Sequence, residues 1–252
     1  MPAPLTLPVL SWGDPRADRR ALLVHGLGST GALMWRIGTT LADAGWHASA
    51  VDLRGHGAAP RALDYSIAAY ASDIAATTPD AAGPWDLVIG HSLGGAAAVV
   101  ASAEDKTWTR RLVLIDPGLV VDGRDAEIVR ASQERALADP TEDAVRAEHP
   151  EWHPHDIELK ASAARGASRF AIAQTSIQND PWDVRAEAAR VRVPVDVLGA
   201  DPAVYSLFTG ELAQGILAAN PLFTLTIVPG AGHSPHRDKP EITMQMLLEI
   251  LA

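Results

Sequence analysis

The 252-residue sequence contains no cysteine. That rules out disulfide staples, thiolate nucleophiles and cysteine-ligated metal centres. Positive charge is also scarce: 21 Lys and Arg stand against 31 Asp and Glu, a formal net charge of −10. Nucleic acid and anionic membranes both demand basic surface, so neither is expected as a partner. No apolar run approaches the roughly eighteen residues of a membrane span. The stretch from Met1 to Leu10 lacks a basic region and is interrupted by Pro2, Pro4 and Pro8, so it does not read as a signal peptide. A cytoplasmic protein is the expectation, working on a small molecule as monomer or homodimer. Internal repeats and low-complexity linkers are missing too, and the alanine-rich segments read as helix.

What is present is an alternation of strand-like and helix-like runs, the pattern of a mostly parallel sheet covered on both faces. The spacing predicts strands at Leu5–Leu10, Ala21–Val24, His47–Val51, Leu87–Ile89, Leu112–Ile115, Val193–Leu198 and Leu222–Val228. Helices are predicted at Thr30–Ala44, Ile67–Thr78, Leu93–Glu104, Val184–Ala189, Leu207–Ala219 and Glu241–Leu251. From about Asp122 to Asp180 the strand rhythm stops. Helical spacing continues there in Asp125–Leu137 and Asp156–Thr175, broken by Pro150, Pro154 and Pro181.

The most informative stretch is Gly90-His91-Ser92-Leu93-Gly94, directly after the apolar run Trp85–Ile89. A strand that enters Gly-x-Ser-x-Gly and leaves as a helix presents its serine on a strained turn. Three other pieces accompany it in order. They are Leu22-Leu23-Val24-His25-Gly26-Leu27-Gly28, then Val51-Asp52-Leu53-Arg54-Gly55-His56-Gly57, then Ile227-Val228-Pro229-Gly230-Ala231-Gly232-His233. With these four pieces the chain resembles the α/β-hydrolase family from about Leu5 to Leu251. The resemblance implies a sheet of about seven or eight strands and a helical cap inserted after the sixth. The core would then be 1–121 and 181–252, and the cap, of three or four short helices, 122–180.

A serine hydroxyl is inert near neutral pH unless a base takes its proton, and the base must be held by a carboxylate. Ser92 is the expected nucleophile. His233, on a glycine-rich loop after the last strand where the family carries its histidine, is the expected base. Two aspartates compete for the third role. Asp116 ends the strand Leu112–Ile115, 24 residues after Ser92, as in a subset of the resembling proteins. Asp201 follows the next core strand, the commoner family position, but with the usual Gly-x-x-Asp shortened to Gly199-Ala200-Asp201. Asp116 is the first choice and Asp201 the alternative. The backbone amides of Leu27 and Leu93 are the expected oxyanion donors.

Other histidines have plainer readings: His91 shapes the turn, His25 holds the oxyanion loop, His56 closes a turn, and His47 lies on the surface. His149, His153 and His155 have a spacing that suggests metal, but Pro150 and Pro154 break the helix it requires, so exposed cap residues are expected. Arg165 and Arg169, four apart on one predicted helix, read as a solvated face before they read as a grip for a carboxylate. Of seven tryptophans, Trp35, Trp152 and Trp182 are the candidates for pocket walls.

Together these readings imply hydrolysis of a carboxylic ester or lactone of a small apolar or aromatic substrate, with no cofactor and no metal. The alternatives are C–C bond hydrolysis of a ring-cleavage diketone, amide hydrolysis and, last, a non-catalytic ligand-binding relative. The family's diketone hydrolases usually carry tryptophan after the histidine, and here His233 is followed by Ser234.

Overall fold

Runs such as Ala21–Val24 and Leu112–Ile115 are apolar at every position, which requires a strand buried on both faces. The computed structural model, which describes residues 2–79 and 83–252, places them so. In chain order the strands are β1 (Val9–Trp12), β2 (Arg19–Val24), β3 (Trp46–Val51), β4 (Leu87–His91), β5 (Leu112–Ile115), β6 (Val120–Val121), β7 (Trp182–Asp183), β8 (Val195–Gly199) and β9 (Phe223–Ile227). Seven form one sheet in the order β1-β3-β2-β4-β5-β8-β9, while β6 and β7 make a separate ribbon. Only the β1–β3 pair in the large sheet is antiparallel.

Alternate side chains feed two cores. Leu22, Val24, Val88, Leu112 and Leu114 enter one; Leu23, Leu87, Ile89, Val113 and Ile115 enter the other. The helices flanking the sheet are α1 (Trp35–Asp43), α2 (Ile67–Ala76) and α3 (Leu93–Glu104). Four more, α4 (Gly123–Ala138), α5 (Glu142–Glu148), α6 (Pro154–Gly166) and α7 (Arg169–Gln178), lie between β6 and β7. The chain closes with α8 (Arg185–Ala188), α9 (Gly210–Ala219), α10 (Pro235–Asp238) and α11 (Pro240–Leu251). Helices α1 and α11 cover the second core, and α2, α3, α8 and α9 the first. None of the described helices is long and apolar enough to cross a membrane.

Several expectations are corrected. The first strand is Val9–Trp12, not Leu5–Leu10. Proline has no N–H for a ladder, and pairing with β3 begins only beyond Pro8. The stretch Asp156–Thr175 is two helices, because Ala167 turns extended and the Ser168 hydroxyl caps α7 by accepting from the Ala171 amide. His47 is buried, since all six residues of β3 are covered. As expected, the helical segment 123–178 follows the sixth strand in chain order, the short β6, and its two ends meet in the β6–β7 ribbon.

Candidate active site

β4 ends on His91 and α3 starts at Leu93, so Ser92 alone makes the reversal. Its backbone sits at φ 53° and ψ −117°, a sparsely populated region whose strain is of the order of 1–3 kcal/mol. Close packing enforces the flanking glycines. A Cβ on Gly90 would stand 2.6 Å from the Gly94 carbonyl oxygen, and one on Gly94 would overlap the carbonyl of Val24.

The turn aims Ser92 Oγ at His233, whose Nε2 is 2.9 Å away. On the far side of the ring, His233 Nδ1 lies 2.6 Å from Asp116 Oδ2. The ring therefore donates from Nδ1 to the carboxylate and offers its Nε2 lone pair to the hydroxyl. Asp116 is fully buried and sits at φ 35°. It also accepts from the Ser206 hydroxyl at 2.6 Å and the Leu207 amide at 3.0 Å. Burial alone would raise its pKa, but His233, Ser206 and the Leu207 amide outweigh it and hold the carboxyl below its ordinary value. Asp201 is engaged elsewhere: its carboxylate accepts from the Gly230 and Ala203 amides, at 2.8 and 2.9 Å, and these keep its pKa low. It braces the loop that carries His233 and does not reach the ring.

Three buried histidines, His25, His56 and His91, hold backbone. His91 Nε2 donates to the His233 carbonyl at 2.8 Å. His25 accepts from the Leu53 amide at 3.0 Å and donates to the Gly26 carbonyl at 2.7 Å. His56 accepts from the Gly28 amide at 3.1 Å. Burial pushes the pKa of His25 and His91 well below the usual imidazole value, so both are neutral spacers. Leu93 opens α3, where an N–H has no partner inside the helix. Among the described residues neither its amide nor that of Leu27 has an internal acceptor.

A cavity of about 480 Å³ opens over Ser92 and His233. Leu27, Ile128, Val129 and Trp152 supply its apolar wall, and the helical segment contributes Gln133 and Lys160. Gln133 Nε2 donates to the Leu27 carbonyl at 3.4 Å, and Lys160 Nζ to the Gly28 carbonyl at 3.0 Å.

Of the three candidate tryptophans, only Trp152 lines this cavity. Trp35 turns its indole N–H to Asp156 at 2.8 Å, and Trp182 donates to the Gly118 carbonyl at 2.7 Å. His149 follows α5 and stacks on Trp152 at 3.8 Å, while His153 and His155 flank Trp35. Among the described residues no group of three His, Cys, Asp or Glu side chains converges as metal ligands would. Arg165 and Arg169 lie on different helices, contrary to the single helix expected, and donate to the carbonyls of Pro140 and Leu137. Sequence reasoning missed Ser206, Gln133, Lys160 and Arg237. Only Arg237, four residues beyond His233, carried a positional signal.

The Alpha/beta hydrolase family model matches residues 21–245, and the chain belongs to that family. Among curated relatives it is 26% identical over 245 residues to 2-(acetamidomethylene)succinate hydrolase of Mesorhizobium japonicum, an alignment covering 91% of this chain and 87% of that protein. It is 35% identical over 118 residues to lipase LipV of Mycobacterium tuberculosis, covering 46% of this chain but only 44% of the lipase. A pimeloyl-[acyl-carrier protein] methyl ester esterase of Neisseria meningitidis is 40% identical over 104 residues, covering 40% of this chain and 37% of the esterase. Among solved structures, E-2-(acetamidomethylene)succinate hydrolase superposes with a TM-score of 0.82 at 26% identity, covering 98% of this chain and 95% of that one. An esterase from Exiguobacterium antarcticum, at 18% identity, has a TM-score of 0.80 and covers 99% of each chain. The chain thus spans less than half the length of the lipase and of the methyl ester esterase that it matches.

Proposed function

We propose that this protein is a serine hydrolase that cleaves a small carboxylic ester or lactone through an acyl-enzyme. One observation carries the reading: an unbroken line of hydrogen bonds from buried Asp116 through His233 to Ser92. Ser92 Oγ attacks the substrate carbonyl carbon as its proton passes to His233 Nε2. The Leu27 and Leu93 amides hold the resulting oxyanion, a contribution of about 3 kcal/mol per donor in comparable sites. When the tetrahedral species collapses, the carbon–oxygen bond to the alcohol breaks and the leaving oxygen takes the proton from His233. Water then gives a proton to the same nitrogen, attacks the acyl carbon and releases the acid and the free serine. Asp116 stays ionised throughout, orienting the ring and stabilising its imidazolium.

In this reading the segment 122–180 is a cap on a core made of 1–121 and 181–252. Its Ile128, Val129 and Trp152 give an apolar or aromatic group of the substrate somewhere to lie. The partial matches to a lipase and a methyl ester esterase favour ester chemistry. A second reading, amide hydrolysis by the same residues, draws support from the relative whose named substrate carries an acetamido group.

A fluorophosphonate probe with p-nitrophenyl butyrate tests the proposal. Wild type is expected to be labelled at Ser92 and to hydrolyse the ester. The Ser92→Ala variant is expected to lose at least about 10⁴-fold in kcat, with its melting temperature unchanged. Substantial turnover by the folded variant would refute the assignment.

A further inference from the structure

Lys160 and Arg237 line the cavity over Ser92, which the acids Glu148, Glu151 and Asp238 also line. Arg237, on α10, is only 4% exposed and lies 5.3 Å above the Trp152 ring. One guanidinium nitrogen donates to the Ser234 hydroxyl at 3.4 Å. Its Nε and Nη2 are buried and, among the described residues, have no hydrogen-bond partner. The acids whose charges act on it, Asp156 and Asp238, make their hydrogen bonds elsewhere. Asp238 accepts from the Trp152 indole at 2.7 Å. Asp156 accepts from Trp35 at 2.8 Å and Arg36 at 3.2 Å. Lys160, reaching in from α6, has three protons to donate and spends one, on the Gly28 carbonyl. Glu148, the acid whose charge acts on Lys160, is paired with Arg135 at 3.0 Å. Buried donors of this kind are costly to leave unmatched, so two incompletely hydrogen-bonded cations lining one cavity mark a place for an anion.

We infer that Lys160 and Arg237 form a carboxylate-binding subsite, and that the preferred substrates are esters or amides bearing a free acid group. The inference rests on the hydrolase reading above and names its substrate class. The electrostatics agree. Burial and the neighbouring Arg237 charge push the Lys160 pKa down to about 8, and burial lowers that of Arg237. A nearby carboxylate would relieve both. The field is local, because the chain as a whole carries −10. A guanidinium and an ammonium converging on one cavity suit a carboxylate, with the apolar wall left for the carbon chain between acid and ester.

Matched substrates decide the matter. Monomethyl succinate, glutarate and adipate are compared with methyl butyrate, valerate and hexanoate in a pH-stat assay. For the best chain length, wild type is expected to favour the acid-bearing ester by about tenfold or more in kcat/KM. Lys160→Met and Arg237→Met bring that ratio towards one, largely through KM, and Lys160→Arg restores most of it. In the Ser92→Ala protein, calorimetry is expected to detect succinate, glutarate or adipate but not the corresponding diamides, with binding lost on adding Lys160→Met. A wild-type ratio of one or less overturns the inference, as does equal binding of diacid and diamide. If Arg237→Met fails to fold, the wild-type ratio and the Lys160 variants decide alone. Hydrolysis of the neutral esters with Ser92 labelled, but no preference for acid, defeats this subsite only. No hydrolysis of either series and no labelling defeats the functional reading, and the calorimetry then judges the subsite by itself.

Discussion

Helix α4 lines the cavity, α3 begins one residue after the cavity-lining Ser92, and the two are built on opposite terms. Ten of the twelve residues of α3 are buried, whereas none of the sixteen in α4 is. Residues 94–101 of α3 are all Gly, Ala or Val because the sheet lies directly against it, and its first turn fixes Ser92 to within hydrogen-bonding distance of His233. α4 is held to solvent-facing standards. Its Arg130–Glu134 pair is about three-fifths exposed on each side, and such pairs contribute little. The core ion pair Arg54–Asp73, at 2.7 Å, is covered on both sides. The Ser92–His233 geometry is lodged in the sheet and α3, whereas cavity-lining side chains such as Ile128 and Val129 hang from a helix with no buried residue.

Four measurements would break or sharpen that contrast. The largest effect is expected from Asp116→Asn, which keeps the shape but loses the charge that sets the His233 tautomer; kcat should fall by about 10⁴-fold. Asp201→Asn should stay within several-fold of wild type in kcat. Equal losses from the two would dissolve the assignment of Asp116. Next, Arg54→Leu leaves Asp73 buried without its partner and should cost about 3–5 kcal/mol in a denaturant melt. Arg130→Ala in α4 should move the same melt by no more than about 0.5 kcal/mol. Comparable costs would show that the two regions are equally integrated.

Smaller still, Val129→Ala trims the cavity wall on α4. It should raise KM several-fold through the loss of about one buried methylene or two, with little change in stability. A large loss of stability with KM unchanged would make α4 a structural element. The smallest effect concerns pH. Because its folded pKa lies below the ordinary value, ionised Asp116 stabilises the fold above the unfolded carboxyl pKa and ceases to as pH falls through the folded one. The stability gap between wild type and Asp116→Asn should therefore narrow below about pH 4. A constant gap would mean that the carboxylate contributes nothing through its charge.

The division between regions also governs how much the sequence discloses. Ser92 was legible because a strand, two close-packed glycines and a helix start leave one residue to make the turn. His233 was legible from its glycine loop after the last strand. Asp116 could be ranked above Asp201 in sequence but the choice could not be closed there, since it depends on the backbone at Asp116, φ 35°, and on amides of Leu207 and Gly230 supplied from distant loops. The helical segment was legible as helix, and of its cavity wall only Trp152 was named from sequence. Periodicity finds an amphipathic face without saying what covers it. Trp35 and Trp182 therefore read as pocket residues although Asp156 and the Gly118 carbonyl hold their indoles elsewhere. The same blindness hid Lys160 and Arg237 and drew attention to Arg165 and Arg169.

The β6–β7 ribbon has a consequence for engineering and divergence alike. The excursion leaves at Val121 and returns at Trp182, two residues that already face each other as a registered pair. Whatever is strung between them is closed at its base like beads on a clasp. Doubling the string adds only about 0.6 kcal/mol of closure entropy, and no neighbour relation among the seven strands has to change. Transplanting a foreign 123–181 stretch at these two points should thus yield chimaeras that still fold and differ in what they admit.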